Sequence, residues 1–185
     1  MKLLAEHKAE VLAALVNTSH EAGKGAAQEP YMNHLIEVAS LVAEATHGED
    51  PDLVIAALLH DAIEDCEVPS ELIAREFGER VARLVQEVSD DKTLPKEVRK
   101  EIQIQTASEK SQDAKIIKLA DKTSNQRTMA FSPPVGWSIN RRLKYIAWSK
   151  EVVAELRDAS PWLEQQFDVA SAEAEHSIAV RPGKV

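Results

Sequence analysis

His60 and Asp61 follow directly on seven apolar residues, Leu53 to Leu59, and two further carboxylates, Glu64 and Asp65, come one helical turn later. His60 and Glu64 are spaced i, i+4, as are Asp61 and Asp65, so on a helix each pair shares a face. An imidazole and three carboxylates this close repel one another unless a cation sits among them or they open to water. Spacing alone allows both a metal site and an exposed acidic helix end. His34, early in a second helix, and Asp121, which follows Ile116, Ile117, Leu119 and Ala120, extend the set. A carboxylate on such an apolar stretch is costly to bury unpaired. A metal would satisfy Asp121, and so would Lys118 or Lys122. Two imidazoles and two carboxylates form a mixed N/O donor set that suits Mn²⁺, Fe²⁺ or Zn²⁺. Glu64 and Asp65 would then take the proton of a hydrolytic water or orient it.

Other positions suit a phosphate ester beside such a metal. Asp121, Asn125 and Thr128 recur at i, i+4, i+7, and Arg141, Lys144 and Tyr145 cluster on a later helix. Arginine binds phosphate through paired hydrogen bonds; the bland reading is a solvated helix face with Tyr145 packed inward. The net charge is −9, against a general nucleic-acid binder. It is unevenly spread. Lys110 to Lys150 holds nine basic and two acidic residues, +7, which leaves −16 for the rest. That pattern fits a local anion pocket in a chain that otherwise repels polyanions.

The elements that must position these residues read as helices throughout. The 185 residues fit one domain, six glycines are few for a turn-rich protein, and aromatics are only 4%, so Leu, Ile, Val and Ala supply the core. The 3.6-residue period predicts helices over Leu3–His20, Tyr31–Thr46, Pro51–Asp65, Ser70–Phe77, Glu79–Val88, Lys96–Ser108, Gln112–Met129 and Ser138–Arg157, and from Pro161 to about Ala174. The run Leu53–Leu59 is apolar all round and predicts a central, buried helix. The expected architecture is all-α, a single-domain bundle of roughly eight to ten helices over residues 1–172, with a frayed tail over 173–185. That longest apolar run is far short of the ~20 residues a membrane span needs. Cys66 is the only cysteine, so no internal disulfide forms, and a reducing cytoplasm is the expected setting.

The ordered set His34, His60-Asp61, Asp121 resembles the H…HD…D signature of the HD-domain phosphohydrolases. Ala56–Asp65 is similar to the ALLHDxxED motif of the RelA/SpoT hydrolase domain, and Pro30–His34 to its PYxxHP motif. Lys118–Lys122 with Asn125 and Arg127 resembles KLADKxxNxR, and Asp90–Lys96 and Gly136–Ser138 resemble segments of the small single-domain members. The resemblance implies an HD-type bundle in which His34, His60, Asp61 and Asp121 hold one Mn²⁺ and Glu64 and Asp65 handle the water. It places Asn125 and Thr128 near the ribose and Lys96, Arg141 and Tyr145 at the phosphates; Lys144 is adjacent to Arg141, and Lys24 lies in the loop that in the family faces base and phosphates. The implied reaction is removal of the 3′-pyrophosphate of (p)ppGpp, a small nucleotide. The loop Glu21–Pro30 departs from the family's HxGQxRKxGxPY pattern: Lys24 is its one cation, and Leu35 stands where the family has Pro. That departure keeps a second phosphorylated nucleotide, such as NADPH at its 2′-phosphate, as the alternative substrate. A nucleotide-binding protein without turnover is the third reading.

Overall fold

The structure is a computed structural model that describes residues 31–180. The expected first helix, the loop carrying Lys24, and residues 181–185 lie outside the described residues. All regular structure among the described residues is helical: α1 Tyr31–Ala45, α2 Pro51–Leu58, α3 Ala62–Cys66, α4 Ser70–Phe77, α5 Glu79–Val88, α6 Lys96–Thr106 followed by a 3-10 turn at Ala107–Glu109, α7 Gln112–Phe131, α8 Ile139–Ala154 and α9 Pro161–Val180.

Local chemistry sets the starts. Asp50 accepts the Leu53 amide at 3.1 Å with Pro51 at the first helical position, Ser111 accepts Ala114 N at 3.2 Å, and Ser138 accepts Arg141 N at 3.2 Å. Gly78, at φ +98°, turns α4 into α5 in a region closed to most side chains.

One core joins Leu35, Val38 and Val42 of α1 to Leu53 of α2, Ile73 of α4, Val81 and Val85 of α5, Ile117 and Leu119 of α7, and Phe167 of α9. The most enclosed helix is α7, which packs along α9 and against α1 and α5; an unbroken run, Ile117 to Ser124, is buried although it includes Lys118, Asp121 and Lys122. The expected central helix is instead shared out. Leu53, Ala56 and Ala57 are buried, while Val54, Ile55 and Leu58 stay half-buried against the same core. Cys66 is half-buried there too. In contrast, α6 buries none of its residues. It is tethered by the Trp148 indole, which donates to the Lys100 carbonyl at 3.2 Å, and by ion pairs described below.

Two helices end differently from the sequence pattern. The expected helix Pro51–Asp65 breaks between Leu58 and Ala62. His60 Nδ1 donates to the Ala57 carbonyl at 2.8 Å, the acceptor a continuous helix would offer to the Asp61 amide. The last helix continues past Ala174 to Val180, because Ile178 is buried and Lys150 pairs with Glu175 at 2.5 Å.

Asp50 also ties three elements together. Its carboxylate takes both Arg80 Nη atoms at 2.6 Å, and Arg80 reaches Asp113 at 2.8 Å. Asp50→Ala is expected to destabilise by about 1–2 kcal/mol, a lost cap plus a part-exposed ion pair. The hydrogen bond from Arg80 holds the Asp50 carboxyl below its usual range. Its contribution is therefore full above the ordinary aspartate pKa and is lost as pH falls through the lower folded value. Thermal unfolding of both proteins between roughly pH 5 and pH 2 checks this, since the gap should close with acid.

Candidate active site

The break at Leu59–Asp61 points the His60 side chain inward. His60 Nε2, His34 Nε2 from α1 and Asp121 Oδ1 from α7 converge: the carboxylate oxygen is 3.4 Å from His34 and 3.9 Å from His60. One ligand atom from each of these three residues lies within 4.8 Å of the others. The Asp61 carboxylate stands 3.2 Å from His60 Nε2 and lines a cavity with His34 and Asp121. Three of the four sequence-derived donors thus converge, and Asp61 adjoins them through His60.

Hydrogen bonding decides what the imidazoles present there. Because His60 Nδ1–H is given to a carbonyl, Nε2 carries a lone pair. It is buried and has no hydrogen-bond partner. Burial pushes His60 down to about 3, so the ring is neutral across the physiological range. An unpartnered buried lone pair facing carboxylates is costly, and a cation at this point would satisfy it. The donor set therefore fits a divalent metal held by His34, His60, Asp61 and Asp121. The lysine alternative is met as well. Lys122 Nζ donates to Asp121 Oδ2 at 2.8 Å, and Asn125 Nδ2 donates to Oδ1 at 2.6 Å. Burial would raise the Asp121 carboxyl, but Lys122 and the two imidazoles outweigh it and hold the group well below the usual carboxylate range.

Glu64 and Asp65 line the same cavity, about 310 Å³ in volume, and each is held by a cation. Arg99 Nη1 reaches Glu64 at 3.1 Å, and the Asp90 amide donates to its other oxygen at 3.2 Å. Lys92 contacts Asp65, which also accepts from the Tyr31 hydroxyl at 3.3 Å. Burial, with Asp90 nearby, raises the Glu64 carboxyl above its ordinary value and makes its carboxylate the stronger base.

Lys96, Lys100, Tyr145 and Trp148 are shared with an adjoining cavity of about 690 Å³, where Arg141 and Lys144 also lie. Its walls carry four cations and three rings, with Glu97, Glu101 and Glu151 among them. The Arg141 guanidinium sits 4.1 Å from the Trp137 ring centre and Lys96 Nζ 5.9 Å, while Lys100 and Lys122 lie 5.1 and 4.9 Å from Trp148. Tyr145 bridges the two indoles, at 5.7 Å from Trp137 and 5.4 Å from Trp148. Burial pushes the Tyr145 phenol up to about 12, so it stays a neutral donor. Thr128 borders neither cavity. Seven residues along α7 carry it about 10 Å beyond Asp121 on the same face, past the cavity's edge. Sequence reasoning missed Lys92, Arg99, Lys100 and Trp148. Their signal was weak, because solvated lysines and packed tryptophans look alike in a sequence.

An all-helical bundle with two histidines and two aspartates gathered beside half-buried carboxylates defines the HD class, and a family model described as HD domain matches residues 12–146. The chain belongs to that family, whose fold serves metal-dependent phosphohydrolases. Within it, the chain is 42% identical over 141 residues to the guanosine-3′,5′-bis(diphosphate) 3′-pyrophosphohydrolase MESH1 of Drosophila melanogaster, covering 76% of this chain and 79% of that protein. The Homo sapiens MESH1 is 42% identical over 136 residues, 74% of this chain and 76% of that protein. A solved structure described as "A metazoan ortholog of SpoT hydrolyzes ppGpp and plays a role in starvation responses" superposes with a TM-score of 0.82 at 36% identity, over 90% of this chain and 94% of that one.

Proposed function

We propose that this chain hydrolyses the 3′-pyrophosphate of (p)ppGpp, giving pyrophosphate and GDP or GTP, with Mn²⁺ as the resident ion and Fe²⁺ or Zn²⁺ as the other ions its donors accommodate. The observation that carries this reading is His60 Nε2, buried without a hydrogen-bond partner beside His34 and Asp121, in a cavity that continues into one where Lys96, Lys100, Arg141 and Lys144 meet Trp137, Tyr145 and Trp148. The named relatives supply the substrate. When bound, the ion supplies Lewis-acid polarisation of a phosphoryl oxygen and makes water more acidic.

The chain's own residues do the rest. Glu64, with its raised basicity, accepts the proton of the attacking water, and Asp65 orients that water. Water adds to the phosphorus on the 3′ oxygen, the P–O3′ bond breaks, and the ribose oxygen takes up a proton. Asn125 holds Asp121 and lines the cavity near the ribose. Lys96, Arg141, Lys144 and Tyr145 bind the remaining phosphates; Lys24, which the sequence assigns to the same task, lies outside the described residues. The hydrolase domain in this reading takes in the family match over 12–146, and α9 carries its helical bundle on to Val180, past the boundary at 172 that the sequence suggested. No helix among the described residues is long and apolar enough to cross a membrane, and a cytoplasmic nucleotide of the stringent response suits such a chain.

The test offers ppGpp, NADPH and a dNTP panel to the purified protein with Mn²⁺. Pyrophosphate released from ppGpp is the expected result. Phosphate released from NADPH alone would replace this substrate with the alternative that the altered loop Glu21–Pro30 motivates, and nucleotide binding with no product would leave a non-catalytic binder.

A further inference from the structure

Ser124 is fully buried and has no part in the chemistry above, yet it touches a metal-site residue directly. We propose that Ser124, backed by Glu37 and Arg127, is a positioning residue that fixes which nitrogen of His34 faces the metal. The inference rests on the hydrolase reading for its metal but not for its geometry.

The Ser124 hydroxyl has one proton, and it lies 2.6 Å from Glu37 Oε2. An ionised carboxylate can only accept, so the proton points at Glu37. The 2.9 Å contact between Ser124 Oγ and His34 Nδ1 must then be made by Nδ1–H donating into the serine lone pair. That leaves the lone pair of His34 on Nε2, the nitrogen that faces Asp121. Reversing the relay would set the serine oxygen against Glu37 with no proton between them. It would also put a proton on Nε2, where a ligand lone pair is needed. Arg127 Nη1 keeps Glu37 in place at 2.9 Å, and its other Nη donates to Gln166 at 3.0 Å. The relay therefore spans α1, α7 and α9.

His60 reaches the same result by other means, donating Nδ1–H to the Ala57 backbone. A backbone carbonyl survives any substitution, whereas the His34 relay depends on side chains that can be removed. The carboxylate at its end also makes the imidazole a better donor to a cation, as outer partners of metal-binding histidines do.

Two readouts test this. Titration of the metal-free protein with Mn²⁺ alone measures affinity, and ¹⁵N NMR of the histidine rings reports the tautomer without metal. The wild type should show His34 protonated on Nδ1. Ser124→Ala and Glu37→Ala should each weaken Mn²⁺ binding by roughly 10–100-fold and admit the Nε2–H form of His34, with His60 unchanged. Glu37 is a third exposed, so its variant tests the relay even if Ser124→Ala folds poorly. Wild-type His34 protonated on Nε2, or variants that keep both the tautomer and Mn²⁺ affinity within about twofold, would overturn the proposal. A wild type that binds no Mn²⁺ while His34 carries Nδ1–H would instead overturn the hydrolase reading and support the relay.

Discussion

Asp121→Ala is expected to lower kcat by at least about 10³-fold, since roughly 4 kcal/mol of transition-state stabilisation depends on the ion that Asp121 helps to hold. Asp121 supplies the carboxylate of the three-residue donor group, and it also compensates Lys122, which is itself buried. Removing it leaves an ammonium without its partner, which costs stability as well, about 3–5 kcal/mol for a buried pair broken from one side. The two losses can be separated. His60 is neutral in the fold, so His60→Ala leaves no uncompensated charge. It should match Asp121→Ala in lost turnover and lost Mn²⁺ while unfolding much nearer the wild-type temperature. Metal content, kcat and thermal unfolding measured on both variants decide the matter. Turnover that survives in Asp121→Ala would remove every metal-based reading of the site.

At the other end of the cavity, Arg141→Ala is expected to raise KM about 10–100-fold, with kcat changed far less, as loss of a charged hydrogen bond of ~1.5–3 kcal/mol requires. Arg141 stacks on Trp137, which presents its guanidinium edge to the cavity. Lys96 faces the same ring. Burial first, then the nearby Lys100 and Arg141, lower the Lys96 pKa, while Glu97 opposes them. An anionic group lodged among these cations would relieve their repulsion. Arg141→Lys should recover only part of the loss, because an ammonium cannot offer two parallel donors. Steady-state kinetics over a range of salt concentrations checks the point. A KM for Arg141→Ala equal to wild type would show that phosphate binds elsewhere.

The metal donors were legible because their chemistry is improbable in any other setting: His60 and Asp61 after an apolar run, and Asp121 within one. Helix positions were legible for the same kind of reason, since Pro51, Pro69, Gly78 and Ser138 mark boundaries locally. The break at Leu59–Asp61 was not. It depends on a side-chain hydrogen bond from His60 to Ala57, which the apolar pattern around it does not encode. The burial of Lys118 and Lys122 was hidden as well, because a sequence shows a lysine's charge but not the carboxylate or indole that meets it. The contact from Ser124 to His34 spans ninety residues, and no local spacing rule reaches that far.

The wall formed by α6 has a physical consequence of its own. Lys96, Arg99 and Lys100 all stand on a helix that buries none of its residues fully and is held by Ile104 against the core, by the Trp148 indole and by charges such as Arg99–Glu64. Apolar packing and the largely enclosed Arg99–Glu64 contact hardly notice ionic strength, whereas the field of partly exposed lysines fades over a Debye length of about 8 Å at physiological salt. The enzyme is thus built from two materials. The imidazole end is set in a dry matrix that salt leaves alone, and the phosphate end stands on a surface helix whose partly exposed lysines answer to the surrounding electrolyte.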